Sequence, residues 1–183
     1  MTEKVFNLQE VLDGCLRNDR RCQRRLYDEY APRVFGLCQR FARSKEDAEE
    51  ILMDGFMNIF KNIHTYRRES NFFTWVHKVF LNTSINHYRA RSRYRHETMP
   101  DSPEWEEGHL EDEKIVSSLE AKDILKLVQG LSDLQRMVFN LKVVEGYSYS
   151  EIAEQLNENE NAVRAVFFRA RKTLQNALKT DMR

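Results

Sequence analysis

The sequence predicts an all-α protein: two small helical domains joined by an acidic, flexible linker. Three observations predict it. Apolar residues recur at spacings of three and four through most of the chain, the period of a helix buried on one side. Helix breakers are scarce, with 3 prolines and 6 glycines among 183 residues, and two of those prolines fall within residues 96–120. That segment also carries 9 acidic side chains against 1 basic, a net −8. Residues 1–95 carry 18 basic against 12 acidic (+6), and residues 121–183 carry 10 against 8 (+2). A total charge of zero therefore hides a chain that is basic, then sharply acidic, then mildly basic. The expected organisation is a helical domain over 1–95, a linker over 96–120 and a second helical domain over 121–183.

In the N-terminal domain Leu26, Tyr30, Val34, Leu37 and Phe41 mark one apolar stripe. Pro32 inside it predicts a kink or a helix restart. Ser44, ahead of Lys45-Glu46-Asp47, predicts an N-cap with acids in the first turn. The helix it starts carries Ala48, Ile51, Leu52, Phe56, Ile59 and Phe60, too many apolar residues for one stripe. Either some of them face a partner, or the helix is buried on two sides within its own bundle. Cys15 and Cys22, seven residues apart, are expected on one buried helical face. With Cys38 they show no CxxC spacing that would mark a metal site, and no disulfide is expected.

A loop around residues 62–70 precedes a helix over 71–95 that is aromatic at its start and basic at its end, with Arg89, Arg91, Arg93 and Arg95 on alternate residues. Aromatics interleaved with Lys, His and Asn suit unstacked bases, which stack on rings and thread along a positive groove. Tyr66, Phe72, Phe73, Trp75 and Tyr88 are the rings available. Helical spacing assigns Phe72, Val76, Val79 and Phe80 to a core, so Tyr66 and Trp75, beside polar neighbours, are the better candidates for exposure. The following linker is too polar and too like-charged to pack a core. Its clusters Glu104-Glu106-Glu107 and Glu111-Asp112-Glu113 read as a solvated run rather than a cation site, and His96 and His109 have no cysteine nearby.

Residues 131–172 carry the most specific pattern. An apolar helix ends near Glu145-Gly146, and a short helix carries Ile152, Ala153 and Leu156. A turn at Asn157 follows, where the chain wants a left-handed residue that Asn tolerates. A last helix buries Val163, Phe167, Ala170 and Leu174. Small Ala153 lets the two later helices cross closely. These are the parts of a helix-turn-helix whose last helix enters a DNA major groove. Its opposite face holds Glu160, Asn161, Arg164, Ala165, Phe168, Arg171 and Lys172. Asn pairs with adenine and Arg with guanine, while Arg169, Arg171 and Lys172 suit phosphates. An ordinary amphipathic helix with a solvated basic face fits the periodicity equally well.

No apolar run approaches the ~18 residues of a membrane span, and the start MTEKVFNLQEVLDG lacks the apolar core of a signal peptide. A soluble, cytoplasmic protein without membrane insertion is expected. No phosphate-cradling glycine loop, clustered metal ligands or nucleophile–base spacing is seen, so neither enzymatic activity nor a cofactor or metal is expected.

Together these stretches resemble a bacterial extracytoplasmic-function sigma factor, the minimal two-domain form of that family. The stretch from YDEYAPRVFGLCQRFARSKEDAEEILMDGF to INHYRARSR resembles region 2, and LSDLQRMVFNLKVVEGYSYSEIAEQLNENENAVRAVFFRARKTL resembles region 4. The resemblance covers roughly residues 20–93 and 120–178.

It implies that the helix from Asp47 to Phe56 docks on the β′ clamp helices of core RNA polymerase, through Asp47, Glu50, Ile51, Leu52, Asp54 and Phe56. It implies that the loop 64–71 and the next helix melt the −10 promoter element. Tyr66, Trp75, His77, Lys78, Asn82, Asn86 and Arg89 would then be single-strand contacts. The last helix would read the −35 element through Glu160, Asn161, Arg164, Ala165, Phe168, Arg169, Arg171 and Lys172. The β flap and an anti-sigma factor are further partners the family implies, and the linker would thread the polymerase near the RNA exit path. Two stretches depart from the family pattern: Leu156-Asn157-Glu158 stands where Leu-Gly-Ile is usual, and Met53-Asp54-Gly55 where Gln-Glu-Thr is. Gly55 inside a helix costs about 1 kcal/mol relative to Ala, which either a close approach by a partner backbone or simple tolerance accommodates. A stand-alone helix-turn-helix regulator acting as a dimer is the alternative, although the aromatic-then-basic helix suits melted DNA better than a ligand pocket.

Overall fold

The structure, a computed structural model, describes residues 6–95 and 121–181. The linker 96–120, with its acidic clusters, His96 and His109, lies outside the described residues, as do the side chains of Arg93 and Arg95. Eight α-helices are found among the described residues: α1 Leu8–Leu16, α2 Arg20–Phe41, α3 Lys45–Asn62, α4 Phe72–Arg95, α5 Ala121–Gln129, α6 Asp133–Phe139, α7 Tyr149–Leu156 and α8 Glu160–Asp181. No described residue is in a strand, which agrees with the all-α expectation. The chain divides into two compact units, residues 1–87 and 88–183. No described helix is long and apolar enough to cross a membrane.

The first unit is built on α2, α3 and α4. Leu26, Val34 and Cys38 of α2, Ile51 and Ile59 of α3, and Val76, Phe80 and Ile85 of α4 are all buried. Each large apolar side chain so placed stabilises the unit by about 1.5–3 kcal/mol. α3 starts as expected: the Ser44 hydroxyl accepts the Asp47 N–H at 3.2 Å. α2 runs unbroken through Pro32, so the expected restart is absent. Pro32 is exposed, and Glu29 and Arg33 bridge that stretch as an ion pair.

Two cysteine expectations need separating. Cys15 and Cys22 do not share a helix, because the chain turns between α1 and α2 with Asn18 at φ 59° and Asp19 capping the N–H of Arg21 at 2.8 Å. All three thiols are free. Burial pushes the Cys15 thiol up to about 11 and that of Cys38 up to about 12, so neither is a ready nucleophile.

Gly55 makes the approach of α4 possible. A Cβ there would stand 2.1 Å from the Phe80 ring, so the neighbour that explains this glycine is a side chain of its own unit. Phe56 meets Phe80 edge-on at 5.4 Å and Tyr27 at 4.6 Å. α3 is thus buried on two sides, by α2 and by α4. Asn58 adds a hydrogen bond to Thr83 of α4 at 3.1 Å.

The second unit gathers Val138, Leu141, Ile152, Leu156, Val163, Val166 and Ala170 into its core. One charged side chain sits among them. Arg136, 2% exposed, donates to the carbonyls of Gln129 and Leu131, each at 3.0 Å, and to the Asp133 carboxylate at 2.6 Å. It fastens the end of α5 to the start of α6. α6 then continues as a π-helical turn over Asn140–Val144, which leaves Val143 and Val144 exposed, and the chain leaves it at Gly146 with φ +77°.

Candidate nucleic-acid interface

α7 and α8 are set by their caps. The Ser148 hydroxyl accepts the Glu151 N–H at 3.2 Å, and the Glu151 carboxylate accepts the Ser148 N–H at 2.7 Å, a reciprocal box that satisfies two orphan donors. That backbone bond from Ser148 holds the Glu151 carboxyl below its ordinary value. α7 ends where Asn157 takes up φ 57°, ψ 49°, the left-handed conformation read from the sequence. The Glu158 N–H closes on the Ala153 carbonyl at 2.8 Å, and the Asn159 side chain accepts the Asn161 N–H at 2.8 Å to start α8. Ala153 is buried, and α7 packs against α8.

On α8, Asn161, Arg164 and Lys172 are exposed, while Glu160, Phe168, Arg169 and Arg171 are half-buried. Ala165 is corrected: it is only 6% exposed. The buried face of α8 is wider than the expected stripe, because Ala162 and Val166 also turn inward. Ala165 lies about 60° round the helix from Ala162 and is carried in with it.

Arg164 is held in place. Its Nε donates to Glu160 Oε1 at 3.1 Å, and its guanidinium carbon lies 4.5 Å over the Tyr149 ring. Tyr149 meets Phe167 edge-on at 5.7 Å and has Lys142 Nζ 4.7 Å over its ring. Tyr149 and Lys142 were not singled out in the sequence; an aromatic at the start of a short helix, one turn-segment ahead of a basic helix, is the only local hint of them.

In the first unit, Trp75, Lys78, Asn82 and Asn86 fall at spacings of three, four and four, one line along α4. Lys78, Asn82 and Asn86 are exposed and Trp75 is half-buried. Arg89, half-buried, continues the same line past the division between the units. His77 does not share that face and lies beside Phe73, ring centres 6.4 Å apart. Tyr66 folds back: its hydroxyl donates to the Ser70 carbonyl at 2.6 Å, and its ring stands 5.0 Å from Phe72 and 5.7 Å from Trp75. The loop before α4 is tied to α1 by Arg68, at φ 61°, whose guanidinium donates to Asp13 at 2.9 Å.

The expected docking surface on α3 is corrected in three positions. Ile51 (1% exposed), Leu52 (7%) and Phe56 (2%) are core residues of the first unit, because the helix is buried on two sides. One exposed face of α3 instead carries Glu50 and Asp54 with two methionines, Met53 (56% exposed) and Met57 (66%). These four follow an i, i+3, i+4, i+7 pattern and so share one face. Asp47 is half-buried at the start of the helix.

The sigma-70 region 2 family model matches residues 26–94, and that of sigma-70 region 4 matches residues 121–174. The chain belongs to the sigma-70 family. Similar proteins include the RNA polymerase sigma-H factor of Pseudomonas aeruginosa, 27% identical over 184 residues that cover 96% of this chain and 95% of that one. The ECF RNA polymerase sigma-E factors of Haemophilus influenzae and Escherichia coli K12 are 27% and 26% identical over 192 residues, the full length of both chains in each case. The fold of this sigma factor is like that of the sigma factor RpoE solved with the anti-sigma factor NepR from Bartonella quintana, at a TM-score of 0.50 and 21% identity, over 86% of this chain and 97% of that one. The two matched regions bracket the α4 line and the α7–α8 pair, and the extracytoplasmic-function resemblance read from the residues is met along the whole chain.

Proposed function

We propose that this alternative sigma factor divides promoter recognition between its two units after joining core RNA polymerase. The polar and methionine face of α3, Glu50, Met53, Asp54 and Met57, docks on the β′ clamp helices, with Asp47 at its edge. The α4 line receives the melted −10 strand, with Trp75 as the stacking ring and Lys78, Asn82, Asn86 and Arg89 along the backbone. α8 enters the major groove of the −35 element, where Asn161 and Arg164 address base edges and Arg169, Arg171 and Lys172 address phosphates. The protein regulates transcription by binding and needs no covalent chemistry of its own. It works in the cytoplasm beside the polymerase, and an anti-sigma factor is a further partner.

The observation that carries this reading is the α4 line: a ring and three polar side chains, without hydrogen-bond partners among the described residues, in register along a basic helix. A core does not expose them, and a ligand pocket does not set them in a row. A dimeric stand-alone regulator is not favoured, since it gives the whole region 2 match no purpose.

Gel filtration with bacterial core RNA polymerase tests the docking step. The parent is expected to co-elute with the polymerase, and Asp54→Ala plus Met57→Ala to lose that association while keeping its helical circular dichroism. Failure of the parent to bind at micromolar protein would overturn the proposal.

A further inference from the structure

His87, on α4, stands against the first turn of α3. Its imidazole is 12% exposed, with Nδ1 3.7 Å from Asp47 Oδ1 and Nε2 3.5 Å from Glu50 Oε2. The second oxygen of Asp47 accepts the Arg43 N–H at 2.8 Å, which orients that carboxylate with Oδ1 toward the ring. Both ring nitrogens therefore look at a carboxylate. A neutral imidazole has one N–H and one lone pair, so one of these two contacts sets a lone pair against an anion.

The carboxylate oxygens of Asp47 and Glu50 and a ring nitrogen of His87 all lie within 4.8 Å of one another. Ligand bonds of about 2.0–2.2 Å place neighbouring donors of a tetrahedral site roughly 3.3–3.6 Å apart, so side-chain rotations must close the set by about 1 Å. Asp47 and Glu50 are three apart on one helix and His87 comes from another, so the set joins two elements rather than lying along one. We propose that Asp47, Glu50 and His87 form a binding site for a divalent transition metal of the Zn²⁺ class. One imidazole with two carboxylates suits such an ion, whereas Mg²⁺ and Ca²⁺ take oxygen donors. Lys45, on the same turn of α3, is paired with Glu49 at 3.6 Å. A bound ion clamps α3 to α4 and engages Glu50 and Asp47, which the proposed docking face also uses. The site does not depend on that reading, since its test needs no polymerase.

The untagged full-length protein, stripped with chelator, would be titrated with Zn²⁺ at neutral pH by calorimetry and followed by thermal unfolding. One equivalent of Zn²⁺ is expected to bind and to raise Tm. Binding should weaken about tenfold or more in His87→Asn. Glu50→Gln changes an exposed side chain and keeps the fold, and it should weaken binding in the same way, which covers the case in which His87→Asn fails to fold. Three results would overturn the site: no heat at sub-millimolar Zn²⁺, equal binding by parent and Glu50→Gln, or a Tm that Zn²⁺ leaves unmoved.

Discussion

The two helices proposed to face DNA, α4 and α8, prepare their polar side chains in opposite ways. On α4, Lys78, Asn82 and Asn86 have no hydrogen-bond partner among the described residues, and the order lies beneath them, in Phe72, Val76, Phe80 and Ile85. On α8, Arg164 is already engaged by Glu160 and by the Tyr149 ring before any DNA is present. A single strand is flexible and brings bases to a line of donors, so a rigid helix with free side chains serves it. A duplex presents fixed edges, so the side chain has to be placed in advance. The first unit orders the core beneath its polar line, and the second orders one guanidinium on its surface.

The sharpest way to break this contrast is to remove the second unit's buried charge. Arg136→Ala strips the Gln129 and Leu131 carbonyls of their donor and takes from Asp133 the nearer of two cations, with Arg91 remaining at 3.5 Å, and should cost about 3 kcal/mol. Hydrogen exchange resolved by mass spectrometry should show α8 amides losing protection while α3 amides keep theirs; equal loss in both would deny the units separate stability. In the first unit, Gly55→Ala sets a methyl into the Phe80 ring. The overpacking cost of about 1–3 kcal/mol exceeds the roughly 1 kcal/mol returned by better helix propensity. A lower Tm is expected, and a raised one would mean that Phe80 moves aside freely.

At the readers themselves, Arg164→Ala should weaken duplex binding by about 1–3 kcal/mol and relax preference at one base pair. A loss equal on every sequence, measured by competition binding, would make Arg164 a phosphate contact. Smallest is Ser148→Ala, about 1 kcal/mol through the lost cap, seen in chemical denaturation. The partner Glu151 titrates lower in the folded protein. Its contribution is thus present above the unfolded carboxylate range and fades as pH falls through the folded value; the backbone N–H at 148 that lowers it persists in the variant, so acid should weaken the start of α7 in both.

Local signals survived into the structure where local physics decides. Ser44 caps α3 and Asn157 adopts the left-handed turn, because both depend only on neighbours within four residues. Where tertiary packing decides, the pattern was silent or ambiguous. Ile51, Leu52 and Phe56 carry the same apolar periodicity whether a partner or α4 covers them, and only the Gly55–Phe80 approach resolves which. Arg136 reads as a surface arginine until the carbonyls of Gln129 and Leu131 converge on it. The Asp47–Glu50–His87 set spans two helices far apart in the chain and has no signature in spacing. The α4 line from Trp75 to Asn86 was legible by residue type, but its separation from His77 needed the helix phase.

The clamp on Arg164 also changes what the helix gives up on meeting DNA. A free arginine carries up to about 2 kcal/mol of rotamer entropy. Fixing it between Glu160 and Tyr149 moves part of that loss from association to folding, so less is subtracted from affinity. The same clamp sets a threshold, because Glu160 competes for the guanidinium with whatever the groove offers. If α8 enters the groove as proposed, an edge rich in acceptors, such as guanine, would draw it away, and an edge without them would leave the ion pair closed, so discrimination would arise as much from refusal as from attraction.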